Sequence, residues 1–153
     1  MAIEAPLSKF KKNNFKISIA ICVGLAIWFA YDGYYNEDFK AKHTGEDGTP
    51  DSTLAFNQKS PPYLIGAAVL LGAHLFAIRN KKVIADEKEL IISDKEKIPY
   101  DSIEKIDKTN FDSKGHFTIT YKDEAGSEVN RKISDRTYDN LAAILEHLVA
   151  KIT

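Results

Sequence analysis

The segment FKISIAICVGLAIWFAYDGYY, residues 15–35, decides how the chain of 153 residues is read. From Ile17 to Tyr31 it carries no acid and no base. A second such run extends from Tyr63 to Ile78. A helix needs about 20 apolar residues to cross some 30 Å of hydrocarbon. Each run reaches that length with its flanks: Phe15 and Lys16 before the first, Tyr34 and Tyr35 after it, and Pro62 before the second. The aromatic residues Trp28, Phe29, Tyr31, Tyr34 and Tyr35, with Tyr63 opening the second run, suit an interfacial belt. Pro61 and Pro62 are placed where a helix begins, and Ala20/Gly24 and Ala68/Gly72 give four-residue spacings of small residues for close helix approach. The alternatives are a soluble helical hairpin and, for the first run, a signal peptide cleaved near Gly24 and Ala26. The run continues apolar past Ala26, which favours an uncleaved anchor.

Charge orients the pair. Lys9, Lys11, Lys12 and Lys16 precede the first run, and Arg79, Lys81 and Lys82 follow the second. Basic flanks stay on the cytoplasmic side. Residues 1–16 therefore read as a basic cytoplasmic tail, 17–35 and 62–82 as spans with their flanks, and 36–61 as an acidic loop on the far side of a bacterial inner membrane. Gly33, Gly45, Gly48 and Pro50 predict an irregular loop. Its aromatics Tyr34, Tyr35, Phe39 and Phe56, with Trp28, compose a surface suited to another membrane protein. The loop carboxylates lack calcium-loop spacing. His74 is the ionisable residue within the second run and is read as a neutral imidazole in the helix interface. Cys22, the one cysteine, cannot form an intrachain disulfide.

Residues 83–153 change character. Val83–Ala85, Leu90–Ile92 and Lys97–Tyr100 predict short strands, Asp101–Ile103 a helical turn, and Asp112–Gly115 a hairpin turn. Phe117, Ile119 and Tyr121 alternate with polar residues, and Glu128 to Ile133 pairs back. Leu141, Ile144, Leu145, Leu148 and Ile152 form one helical stripe, with Ser134 or Asp135 as the expected cap. The expected fold is a membrane helical hairpin plus an α+β domain, a curved antiparallel sheet closed by the C-terminal helix.

The two apolar runs, the stretch from Val83 to Ser93, the Ile98-Pro99…Ile103…Ile106 segment, the hairpins and the last helix together resemble bacterial pleckstrin-homology-like (PH-like) membrane proteins. The resemblance implies a PH-like partial barrel and a binding-module role, with no reaction attached. Relatives in fold often bind phosphoinositides through a basic first hairpin. Here that hairpin reads Asp86-Glu87-Lys88-Glu89, and from Val83 to Thr153 fifteen acids face eleven bases. Anionic headgroups and nucleic acid both need a positive patch, so neither is expected as a ligand of the domain.

His43, His74, His116 and His147 are dispersed, zinc spacings are absent, and Ser102 and Ser134 read as turn and cap residues. No enzyme activity, cofactor or metal is expected. The function implied is a scaffold or accessory subunit of a larger membrane complex, with other membrane subunits, membrane lipids or a second copy as partners. The alternative is a ligand- or lipid-sensing module.

Overall fold

A computed structural model describes residues 1–153. The chain divides into two compact units, Met1–Lys12 with Ile78–Thr153, and Asn13–Ala77.

The first unit is built from seven strands and a helix. Strands β1 (Ile3–Pro6), β2 (Lys82–Ala85), β3 (Glu89–Ser93) and β4 (Glu96–Pro99) form one antiparallel sheet in sequence order. Strands β5 (Ile103–Asp107), β6 (His116–Lys122) and β7 (Glu128–Ser134) form a second. The expected single curved sheet is thus two, and neither closes on itself. A 3₁₀ turn at Tyr100–Ser102 separates β4 from β5 and redirects the chain. Alternation drives the pairing: Val83, Ala85, Leu90, Ile98, Phe117 and Ile119 are all buried, while their neighbours point outward. Helix α5 (Leu141–Ile152) lays Leu141, Ile144, Leu145 and Leu148 on this core.

The main departure from expectation is β1. Residues 3–6, read as part of a basic tail, pair antiparallel with β2, Ile3 against Ala85 and Pro6 against Lys82. Ala5 and Leu7 are buried. Glu4 forms an ion pair with Lys82. Ser8 then starts helix α1 (Lys9–Ala30). Its hydroxyl accepts from the Lys11 amide at 3.1 Å, an N-cap bond, and donates to the Arg136 carbonyl at 2.6 Å. The Ser8 amide donates to Thr137 at 2.8 Å. The strand and the cap are therefore locked to the segment after β7.

Two local readings also change. The expected turn at Asp112–Gly115 does lie in the hairpin connection between β5 and β6, but Phe111–Lys114 is wound as a single helical turn, α4, closed by Gly115 at φ 66°. A Cβ at Gly115 would overlap the Asp135 carboxylate. Ser134 and Asp135 do not cap the last helix. Asn140 precedes it with φ 61°, a conformation that Asn tolerates, and its side-chain amide donates to the Glu4 carbonyl at 3.1 Å.

Tyr100 ties the turn to the core. Its hydroxyl donates to the Asp86 carbonyl at 2.6 Å, and its ring meets that of His147 edge-on. Burial, then the charges of Asp86 and Glu89, push its pKa up to about 12. A raised folded pKa favours the neutral phenol. Stability from this group is complete below pH 10 and falls between about pH 10 and 12, as the unfolded chain ionises first. Tyr100→Phe is expected to cost about 1 kcal/mol at neutral pH, one hydrogen bond. It should also flatten the alkaline fall in denaturation midpoint, leaving the smaller shares of Tyr121 and Tyr138, whose pKa values burial also raises.

The second unit is an antiparallel helical hairpin. Helix α1 ends in a π-helical turn at Tyr31–Tyr35, followed by α2 (Glu37–Lys42) and α3 (Ser52–Ile78). Phe15 meets His74 near one end, Ile19 lies at 4.0 Å from the Cβ position of Gly72, and Phe29 meets Phe56 near the other. The loop expected over 36–61 is thus shorter than its sequence suggested, because α3 begins at Ser52. Asp51 caps it, accepting from the Leu54 amide at 2.9 Å. Pro61 and Pro62 lie inside α3, not at its start.

Candidate interaction surface at the loop end of the hairpin

A proline has no amide hydrogen, so each one inside a helix frees the carbonyl four residues earlier. Pro61 frees Asn57 and Pro62 frees Gln58. The partner helix is shaped around both. The Tyr34 hydroxyl donates to the Gln58 carbonyl at 2.7 Å. The Gln58 side-chain amide answers by donating to the Gly33 carbonyl at 3.0 Å. The Asn57 carbonyl carbon and oxygen lie 3.0 Å from where a Gly33 Cβ would stand. Only glycine admits that approach without displacement. The π-helical turn supplies the orientation: the Asn36 amide reaches back five residues to the Tyr31 carbonyl at 2.9 Å.

A polar cluster surrounds this clasp. Asp32 accepts from the Trp28 indole and from the Asn36 side chain, both at 2.8 Å. Asn36 in turn caps α2 through the Phe39 amide at 3.2 Å. Lys40 pairs with Glu37 at 2.8 Å and donates to the Tyr34 carbonyl at 3.3 Å. Phe39 stacks on His43 with centroids 4.4 Å apart, and His43 Nδ1 lies 2.7 Å from an Asp51 oxygen. The Leu54 amide, followed by His43, holds the Asp51 carboxyl below the ordinary carboxylate range. Thr49, through hydroxyl and amide, does the same for Asp47.

The structure therefore brings Trp28, Tyr34, Phe39 and Phe56 to one end of the hairpin, each with a defined partner. Tyr35 belongs to the same turn and is 74% exposed. His74 does not join them. It sits toward the opposite end beside Phe15, with ring centroids 5.3 Å apart, and is itself exposed. Asp32, Gly33 and Gln58 were not singled out as site residues from sequence. The Pro-Pro dipeptide was the available signal, since two freed carbonyls in an apolar setting demand donors.

Between the helices, beside the clasp, Phe29, Phe56, Lys59, Ser60, Tyr63 and Leu64 line a groove of about 420 Å³. Its walls are almost wholly apolar. The Ser60 hydroxyl is buried and has no hydrogen-bond partner.

Both helices are long and apolar enough to cross a membrane, and only 6% and 11% of the residues in their apolar windows are buried. On α3 the buried positions Leu54, Asn57, Pro61 and Ala68 form one stripe facing α1, and Ile65, Val69, Leu70 and Phe76 are uncovered. Of the two small-residue pairs, Ala68 and Gly72 lie toward α1, whereas Gly24 has open space at its Cβ position.

Tyr34→Phe is expected to orphan the Gln58 carbonyl and to lower hairpin stability by about 1 kcal/mol, within the range measured for hydrogen bonds between membrane helices. Unfolding of the purified chain in detergent, followed by Trp28 fluorescence, measures this.

On the other unit's surface, three of the eleven bases in residues 83–153 are held in ion pairs. Lys122 pairs with Glu104 at 2.8 Å, Arg131 with Glu96 at 2.9 Å, and Lys97 with Glu89 at 3.8 Å. No three His, Cys, Asp or Glu side chains converge as metal ligands. Neither a family model, nor a curated protein, nor a solved structure matches the chain.

Proposed function

We propose that this chain is a non-enzymatic accessory subunit of a membrane protein complex, with the hairpin in the bilayer and the α+β unit as its protein-interaction module. The uncovered apolar surface of the hairpin carries this reading. Ile17, Ile21 and Ile27 on α1 and Val69, Leu70 and Phe76 on α3 are all exposed. Burying each is worth about 1.5–3 kcal/mol, so water is a poor solvent for this surface and lipid or neighbouring helices are good ones.

The topology supports the orientation. The hairpin is inserted between β1 and β2, two strands paired with each other. Residues on either side of the hairpin belong to one folded unit and must share one side of a membrane. Two crossings satisfy that, and the basic residues flanking the hairpin favour the cytoplasmic side of an inner membrane. Removal of residues 1–26 as a signal peptide would strip β1 from its sheet, which supports retention. The four-plus-three strand arrangement with a C-terminal helix is compatible with a PH-like module, and its excess of acids over bases from Val83 to Thr153 suits a protein partner better than an anionic one. At the loop end, exposed Trp28, Tyr35 and Phe56 offer a second face to a neighbouring subunit.

Native electrophoresis after mild detergent extraction of a C-terminally tagged chain tests this. Migration in a large assembly with defined co-purifying proteins is expected. A lone monomer at native expression would overturn the accessory reading.

A further inference from the structure

We propose that the groove lined by Phe29, Phe56, Tyr63 and Leu64 binds one anionic phospholipid, an acyl chain against the aromatic wall and the phosphate on the Lys59 ammonium. The proposal deepens the membrane reading and rests on it.

Three observations converge on this occupant. The groove is apolar, and at about 420 Å³ it falls within the size of known ligand pockets. An apolar slot between two apolar helices is open to lipid chains and poorly suited to a water-soluble ligand. Lys59 is the only Lys, Arg, Asp or Glu residue of α3 and has no ion-pair partner. Three acids of the segment joining α1 to α3 are engaged elsewhere: Asp32 by Trp28 and Asn36, Glu37 by Lys40, and Asp51 by His43. One uncompensated cation beside an apolar groove complements an anionic amphiphile. Finally, the buried Ser60 hydroxyl lacks an acceptor. Such a group costs about 1–3 kcal/mol when unpaired, and a lipid ester carbonyl seated in the groove accepts from it.

Trp28 is the only tryptophan of the chain and adjoins Phe29, so it reports on lipid at this end of the hairpin. The full chain is reconstituted into phosphatidylcholine vesicles containing, at one fixed mole fraction, either phosphatidylglycerol or phosphatidylcholine brominated on the acyl chain. Bromine quenches tryptophan at short range. The brominated phosphatidylglycerol is expected to associate about fivefold more strongly, the worth of one lysine beside an anionic surface. Lys59→Gln should abolish the preference, and Lys59→Arg should retain it. Equal quenching by the two lipids, or a preference that survives Lys59→Gln, overturns the lipid site and leaves the membrane reading standing. No quenching by either lipid overturns the membrane reading and the lipid site with it.

Discussion

Deletion of residues 1–7 is expected to unfold the α+β unit, although these residues lie a whole helical hairpin away in sequence from the strand they pair with. The deletion removes β1, its pairing with β2, and the buried side chains of Ala5 and Leu7, with Ile3 packed against the core. At about 1.5–3 kcal/mol for each large apolar side chain, with the backbone ladder lost as well, the total is roughly 5 kcal/mol. A domain of this size has a stability of only about 5–10 kcal/mol. β2 would also be left with an unpaired backbone edge. Limited proteolysis of the chain reconstituted into lipid vesicles reads the result. Cleavage is expected throughout residues 83–153 of the deletion variant and at few positions in the intact chain. Persistent protection in the variant would mean that the N-terminal strand is dispensable.

The second large effect is expected at Gly33. Gly33→Val adds a branched side chain where even a Cβ stands 3.0 Å from the Asn57 backbone. The obstacle is the α3 main chain at Asn57 and Gln58, so no rotamer change relieves it. The helices must separate at the loop end, breaking the reciprocal bonds between Tyr34, Gly33 and Gln58. Overpacking of this kind costs about 1–3 kcal/mol, and the two lost hydrogen bonds add about 1 kcal/mol together, allowing for alternative partners in the membrane. A marked fall in the detergent-unfolding midpoint is expected for Gly33→Val. Gly24→Val, where the Cβ position is open, serves as the control and should change it little.

The contrast between these two glycines shows what the sequence made legible. Both lie in or near the first apolar run, and small-residue spacing pointed to Gly24, while Gly33 looked like a helix breaker. Local pattern cannot say which helix face meets a partner, nor that a π-helical turn would carry Gly33 onward into the contact. The strands from Val83 to Ile133 were readable because alternation is a local signal, and the α5 stripe because a 3.6-residue period is too. β1 was hidden for the opposite reason. Its four residues Ile3–Pro6 contain only one large apolar side chain, and their meaning depends on β2, which lies beyond the hairpin. The role of Ser8 likewise depends on distant partners, the Arg136 and Thr137 carbonyls. The start of α3 does carry a local signal, since Asp51 followed by Ser-Thr-Leu is a common capping pattern. The two prolines obscured it by suggesting a later beginning. In the candidate surface the aromatic residues were visible by composition. The donor to the freed Gln58 carbonyl and the glycine that admits the Asn57 carbonyl required the register of two helices.

Sidedness of three positions tests the central claim most directly. In a Cys22→Ser background, single cysteines at Ala2, Glu46 and Glu124 are probed with a membrane-impermeant maleimide on intact cells. Two crossings by a hairpin inserted into one folded unit place Ala2 and Glu124 together and Glu46 opposite. Glu46→Cys should react at once, and Ala2→Cys and Glu124→Cys only after permeabilisation. Reaction of Ala2→Cys and Glu124→Cys from opposite sides, or of Glu46→Cys and Glu124→Cys from the same side, would contradict the account.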